Sequence, residues 1–162
     1  MADNLFAGLT YEQVVVKYTK TIGSVCLVRL KNYADAEDCF QNVFARLYTK
    51  SPDFTDEKHL KAWLIRVAVN ECKNHIRDNS PLLPLKDVKE NSVDFPQDRC
   101  DISWALMELP PKYREVLYLH YIERYKIEEI ALVLNKNENT VKSLLRRGRE
   151  KLKNIYGGES YE

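Results

Sequence analysis

Residues 139–147 gather side chains able to read a nucleic acid. Asn139, Arg146 and Arg147 carry paired polar groups that can bond adenine and guanine edges two at a time. Thr140, Lys142 and Ser143 are exposed candidates beside them, and Lys and Ser serve phosphate oxygens well. From residue 139 to 156 six bases accompany one acid, Glu150. From residue 58 to 77 five bases (Lys58, Lys61, Arg66, Lys73, Arg77) accompany one acid, Glu71. Two separate basic segments in a chain of net charge +1 suggest two phosphate-facing surfaces. Charge alone fits two solvated helix faces as well. A third set, Asp35, Asp38, Gln41 and Asn42, forms an acidic, hydrogen-bonding stripe that suits a basic partner surface. Its bland alternative is a solvated helix face opening with capping acids.

No constellation for catalysis is visible. His59, His75 and His120 have no HExxH context, and no glycine-rich phosphate loop occurs. Cys26, Cys39, Cys72 and Cys100 are too scattered for a CxxC zinc pair, and are expected to be buried thiols in a reducing compartment. The expectation is a non-enzyme without cofactor or metal. No apolar run is long enough to span a membrane, and Met1-Ala2-Asp3-Asn4 lacks the features of a signal peptide, which points to the cytoplasm.

These side chains need helices to position them. Hydrophobic residues make up 44% of the 162, and only 5 Gly and 6 Pro occur, which favours an all-α fold. Val14, Val15, Tyr18, Ile22, Val25 and Cys26 recur at steps of three and four, as one buried helix face requires. A second helix is predicted over 34–50, with Ala36, Cys39, Phe40, Val43, Phe44 and Leu47 inward. Pro52 and the polar residues 53–57 end it. A third spans 58–78, with Leu60, Trp63, Leu64, Val67, Ala68 and Cys72 on its apolar side, so Trp63 is expected to pack in the core. Residues 79–100, with Pro81, Pro84 and Pro96, read as a linker. Helices resume with Ile102, Ala105, Leu106 and Leu109, stop at Pro110-Pro111, and restart over 112–122.

Ile127, Ile130, Ala131 and Leu134 then fall at helical spacing, Asn135 can end that helix left-handed, and Asn137 can cap the next. The last helix sends Val141, Leu144, Leu145 and Leu152 inward. A short amphipathic helix, a tight turn and a longer helix with a basic outer face make a helix-turn-helix. The N-terminal end of its second helix would enter the major groove. Arg149, Lys151 and Lys153 lie farther along, toward backbone or water. The expected organisation is two small helical domains, 1–78 and 101–162, joined by a flexible linker at 79–100.

The stretch ALMELPPKYREVLYLHYIERYKIEEIALVLNKNENTVKSLLRRGREKL resembles region 4 of sigma-70-type factors. The resemblance rests on Leu109-Pro110-Pro111, Arg114 with Val116-Leu117, Glu129-Ile130-Ala131, Thr140 to Ser143, and Arg147 with Lys151-Leu152. YADAEDCFQNVFARLY is similar to sigma region 2.2, and HLKAWLIRVAVNECKNHIRD to regions 2.3 and 2.4. Their order and spacing resemble the extracytoplasmic-function class. The resemblance implies a sigma factor that binds core RNA polymerase and directs initiation at −35 and −10 promoter elements. Asp35, Asp38, Gln41 and Asn42 would meet the β′ clamp helices, with the β subunit a further contact. Phe54, Lys61, Arg66, Asn70, Lys73, Asn74 and Arg77 would take the −10 element, the loop 51–58 holding an extruded base. Asn139, Thr140, Lys142, Ser143, Arg146 and Arg147 would take the −35 element. An anti-sigma partner is also implied. The alternative reading is a helix-turn-helix regulator that is not a polymerase subunit.

The chain departs from the family in places. Asn42 replaces a usual Glu. Arg124-Tyr125-Lys126 stands where the family commonly has Gly and a Ser or Thr cap, and Asn135 replaces the turn Gly. Lys136 sits where an apolar residue is common. Weaker local capping is expected.

Overall fold

The computed structural model describes residues 4–79 and 105–155. The chain divides into two compact units, Met1–Asn91 and Ser92–Glu162. Most of the expected linker, together with Cys100 and Ile102, lies outside the described residues.

The N-terminal unit is a bundle of three mutually packed helices, α1 (Tyr11–Leu30), α2 (Tyr33–Lys50) and α3 (Glu57–Asn79). Each start is fixed by a side-chain cap. Thr10 Oγ1 accepts the Gln13 N–H at 3.1 Å, and Gln13 Oε1 accepts the Thr10 N–H at 2.9 Å, a reciprocal box. Asn32 Oδ1 accepts the Asp35 N–H at 2.9 Å to open α2, and Asp56 Oδ1 accepts the His59 N–H at 2.8 Å to open α3.

The expected apolar faces of α1 and α2 are inward, with Val15 and Phe40 only half-buried. α3 buries a wider arc than its expected face, adding Ile65 and Val69, because it packs on both other helices. Trp63 corrects the expectation of a core residue. It is half-buried, and its register sets it with Arg66 and Asn70 rather than with Leu60 and Leu64. Cys26, Cys39 and Cys72, one from each helix, are free and buried in the middle of this core. A fully buried Leu or Ile contributes roughly 1.5–3 kcal/mol. Leu47, Leu60, Leu64, Ile22 and Ile65 therefore carry much of the stability of this unit.

In the C-terminal unit Ala105, Leu106 and Leu109 are buried. Pro111 does more than stop the preceding turn. It opens α4 (Pro111–Leu117) as its first residue, where a missing N–H costs nothing. The expected single helix over 112–122 instead widens into a π-helical turn at Tyr118–Ile122. Two hydrogen bonds just beyond it fix the exit. The Tyr118 hydroxyl donates to Glu123 at 2.7 Å, and the Tyr125 N–H donates to the Leu119 carbonyl at 2.9 Å. Arg124 there takes φ +65°, the conformation a glycine would adopt freely.

Two helices follow, α5 (Ile127–Leu134) and α6 (Glu138–Ile155). Asn135 closes α5 at φ +58°. The Lys136 N–H reaches back to the Ala131 carbonyl at 2.9 Å, the pattern of a left-handed helix end. Among the described residues no helix is long and apolar enough to cross a membrane, and no cluster of metal-ligating side chains forms.

Candidate nucleic-acid and partner interfaces

α6 is the longer helix of the helix-turn-helix. Asn137 Oδ1 accepts the Thr140 N–H at 2.8 Å, so the cap expected from sequence is in place. Val141, Leu144 and Leu145 face inward, and Leu152 is half-buried. Asn139, Thr140, Lys142, Arg146 and Arg147 are exposed along the outer face, with Ser143 half-buried among them. All six candidates thus lie on one side, with Asn139 and Thr140 in the first turn, whose free amides favour an anion.

Beyond them the helix is tied down. Arg149 Nη1 donates to the Tyr121 hydroxyl at 3.3 Å, and the Lys151 ammonium lies 5.6 Å from the centre of the Tyr113 ring, which Lys112 also approaches, at 5.2 Å. These bases lean on α4 and the π turn, which periodicity could not disclose. Gly148, also buried, was absent from the expected inward face.

The departures before α5 are met by a substitute. Lys126 has no side-chain acceptor with which to cap, yet Glu129 Oε1 accepts the Lys126 N–H at 2.8 Å. Half of the reciprocal box survives, and α5 forms without its Ser or Thr.

In the N-terminal unit, Arg66, Asn70, Lys73, Asn74 and Arg77 recur at steps of three and four along one face of α3. His59 and Trp63 continue that face toward the N-terminus. Lys61 does not share it. By register it falls on the opposite side of the helix, half-buried. Glu71, the one acid of the segment, turns instead toward α2. Its carboxylate accepts from Arg46 Nη2 and from Asn42 Nδ2, each at 3.3 Å, which leaves the outer stripe of α3 without an acid from residue 59 to 77.

Phe54 stands at the head of this stripe. Its ring meets Trp63 edge-on at 5.6 Å and His59 at 5.2 Å, and it remains half-buried. The loop carrying it is closed by a bond from the Thr55 N–H to His59 Nδ1 at 3.2 Å. At the base of α3, Glu57 accepts from Lys17 Nζ at 2.5 Å and from the Tyr18 hydroxyl at 2.9 Å. Lys17, and then Tyr18, hold the Glu57 carboxyl below its ordinary range. Burial, and then Glu57, push the Tyr18 hydroxyl up to about 12.

The four candidates on α2 divide into two rows. Asp38 and Gln41 are exposed on the outward face. Asp35 and Asn42 lie on the flank against α3, where Asp35 Oδ1 is 3.3 Å from His75 Nε2 and Asn42 bonds Glu71. The acidic stripe available to a partner is therefore narrower than the sequence suggested.

Comparison with known proteins accords with both halves. The family model for Sigma-70 region 2 matches residues 11–81, and that for Sigma-70, region 4 matches residues 102–152. The ECF RNA polymerase sigma factor SigM of Bacillus subtilis (strain 168) is 29% identical over 157 residues, covering 91% of this chain and 96% of that protein. The RNA polymerase sigma-E factor of Streptomyces antibioticus is 32% identical over 124 residues, 74% of this chain and 69% of its own. Among solved structures, the sigma factor RpoE in complex with the anti-sigma factor NepR from Bartonella quintana has a TM-score of 0.73 at 21% identity. That likeness of fold covers 93% of this chain and 98% of the other.

Proposed function

Because the chain belongs to the sigma-70 family of RNA polymerase sigma factors, in its extracytoplasmic-function class, we propose that its two units divide promoter recognition between them. As a sigma factor it binds core polymerase and directs transcription initiation at promoter DNA. The region 2 match sets aside a helix-turn-helix regulator acting apart from polymerase.

Residues 1–78 grip core polymerase and the opened −10 element, and residues 101–162 hold the −35 element as duplex. The reading rests on one observation above others: each unit presents a basic helix face, on α3 and on α6, with the neighbouring acid of α3 turned inward. On α6, Asn139, Arg146 and Arg147 read base edges while Thr140, Lys142 and Ser143 bond phosphates. On α3, Arg66, Asn70, Lys73, Asn74 and Arg77 follow the separated strand, and Phe54 offers a ring for an unstacked base. Lys61, on the other side of α3, adds only to the general positive field.

Asp38 and Gln41 make the direct contacts to the β′ clamp helices, and Asp35 and Asn42 hold α2 against α3 behind them. The β subunit is a second contact. An anti-sigma protein masks the free factor, as NepR accompanies the RpoE of similar fold. The protein works in the cytoplasm, where polymerase and promoters are, and the chemistry of RNA synthesis stays with the core enzyme.

Run-off transcription with purified core polymerase on candidate promoters tests this. Asp38→Ala is expected to weaken core binding while leaving the affinity of the helix-turn-helix for −35 duplex unchanged. Arg146→Ala is expected to weaken duplex binding and reduce its salt slope by about 1. Normal core binding by the Asp38 variant would refute that contact, and the absence of core-dependent transcripts would refute the whole reading.

A further inference from the structure

His59 was set aside in the sequence because no metal or catalytic context surrounds it. Its environment gives it another task. Its backbone N–H donates to Asp56 Oδ1 at 2.8 Å, and its ring Nδ1 accepts the Thr55 N–H at 3.2 Å, with the Thr55 hydroxyl 3.5 Å away. One side chain of the loop caps the helix, and one side chain of the helix closes the loop. The usual reciprocal box employs Glu or Gln at the third helical position, reaching the N–H of the capping residue. Here a histidine at that position reaches one residue farther back, to the residue that follows Phe54. Because Nδ1 accepts, the proton of the neutral ring sits on Nε2. The same ring then presses edge-on against Phe54, at 5.2 Å and 75°.

We propose that His59 is the positioning residue of the −10 site, holding the Phe54 loop in the conformation that receives an unstacked base by accepting the Thr55 amide proton. The inference rests on the assignment of Phe54 to base capture made above. Two features carry it. His59, Trp63, Arg66 and Asn70 share one face of α3, so the residue that closes the loop is in line with the residues that would follow the strand. The bond is also exposed to solvent and closes only the loop, so its loss leaves the bundle folded. Its effect is on where the loop, and the Phe54 ring with it, is held. Positioning of this kind is felt in a binding step that needs a ring already in place to stack on.

Two substitutions separate the functions of the side chain. His59→Asn keeps an acceptor atom close to the place of Nδ1 and discards the ring. His59→Phe keeps a ring beside Phe54 and discards the acceptor. The measurement is promoter opening by reconstituted holoenzyme, read from the fluorescence of 2-aminopurine at the −10 bases of the non-template strand. H59F is expected to open promoters about fivefold less well, the worth of one neutral hydrogen bond, and H59N within about twofold of wild type. Helix content, core affinity and binding to −35 duplex should be unchanged in both.

If H59F opens promoters normally, or H59N falls as far as H59F, the positioning role is refuted. Phe54→Ala provides the separate check. Impaired opening by F54A beside normal opening by H59F overturns only the role of His59. Normal opening by F54A overturns the base-capture assignment itself.

Discussion

Tyr18 is 6% exposed, yet its hydroxyl must find a partner, and it finds the Glu57 carboxylate at the first turn of α3. Ionising that phenol would set a second negative charge beside the first in a desolvated place, which is why its pKa rises from 10.0 to about 12. The raised value fixes the sign of the pH dependence. The contribution is complete below pH 10 and is lost as pH climbs toward 12. At neutral pH Tyr18→Phe should cost about 1 kcal/mol. That gap from wild type should close between about pH 10 and 12 in urea denaturation series. A gap independent of pH would mean that the hydroxyl is not held by Glu57. Tyr18 was legible in the sequence as an inward residue, since spacing shows which side chains turn in. Its partner was not, because Glu57 lies in a different helix and only folding brings the two together. The same holds for Glu71, which counts as the one acid of residues 58–77 and is paired with Arg46 in the bundle.

At the scale of the element, α4 and α6 approach each other more closely than ordinary side chains permit. A Cβ placed on Gly148 would lie 2.9 Å from Leu117 Cδ1 and 3.3 Å from Leu117 Cγ. Leu117 is itself wholly buried and has little room to yield. A helical glycine costs roughly 1 kcal/mol relative to alanine, and the close approach leaves no room for the alanine methyl without a shift of Leu117. Gly148→Val is expected to overpack this contact and destabilise α6 by about 1–3 kcal/mol, measured from hydrogen exchange of its amides. Protection equal to wild type would show that α4 shifts aside at no cost.

The helices themselves were readable because each buries an apolar face at helical spacing. Asn135 and Asn137 were anticipated in their roles for the same local reasons. The π turn at Tyr118–Ile122 was not, since no residue type marks it. Neither was the separation of Lys61 from its neighbours, although five residues in a 3.6-residue repeat carry it to the far side of the helix.

At the scale of the whole molecule, net charge conceals what matters. A sum of +1 is compatible with many partners, whereas two basic faces on separate units describe a ligand with phosphates in two places. The sequence exposed those segments directly. It did not show that three thiols meet. They come one from each helix: the neighbouring Cys72 thiol, and then burial, push the Cys39 thiol far above its ordinary range, and the Cys26 thiol pushes Cys72 up against the opposing effect of Cys39.

Such sulfurs are inert while the bundle is closed and ordinary once it opens. The unit thereby carries its own clock of unfolding. An alkylating reagent should modify Cys26, Cys39 and Cys72 together, the first modification holding the bundle open for the other two, at a rate set by the open fraction. The mass of the undigested Cys100→Ser chain would then show all three labelled or none. Chains modified at one of the three alone would mean that the bundle breathes helix by helix. Since a partner that binds only the closed bundle lowers the open fraction, core polymerase should slow the clock.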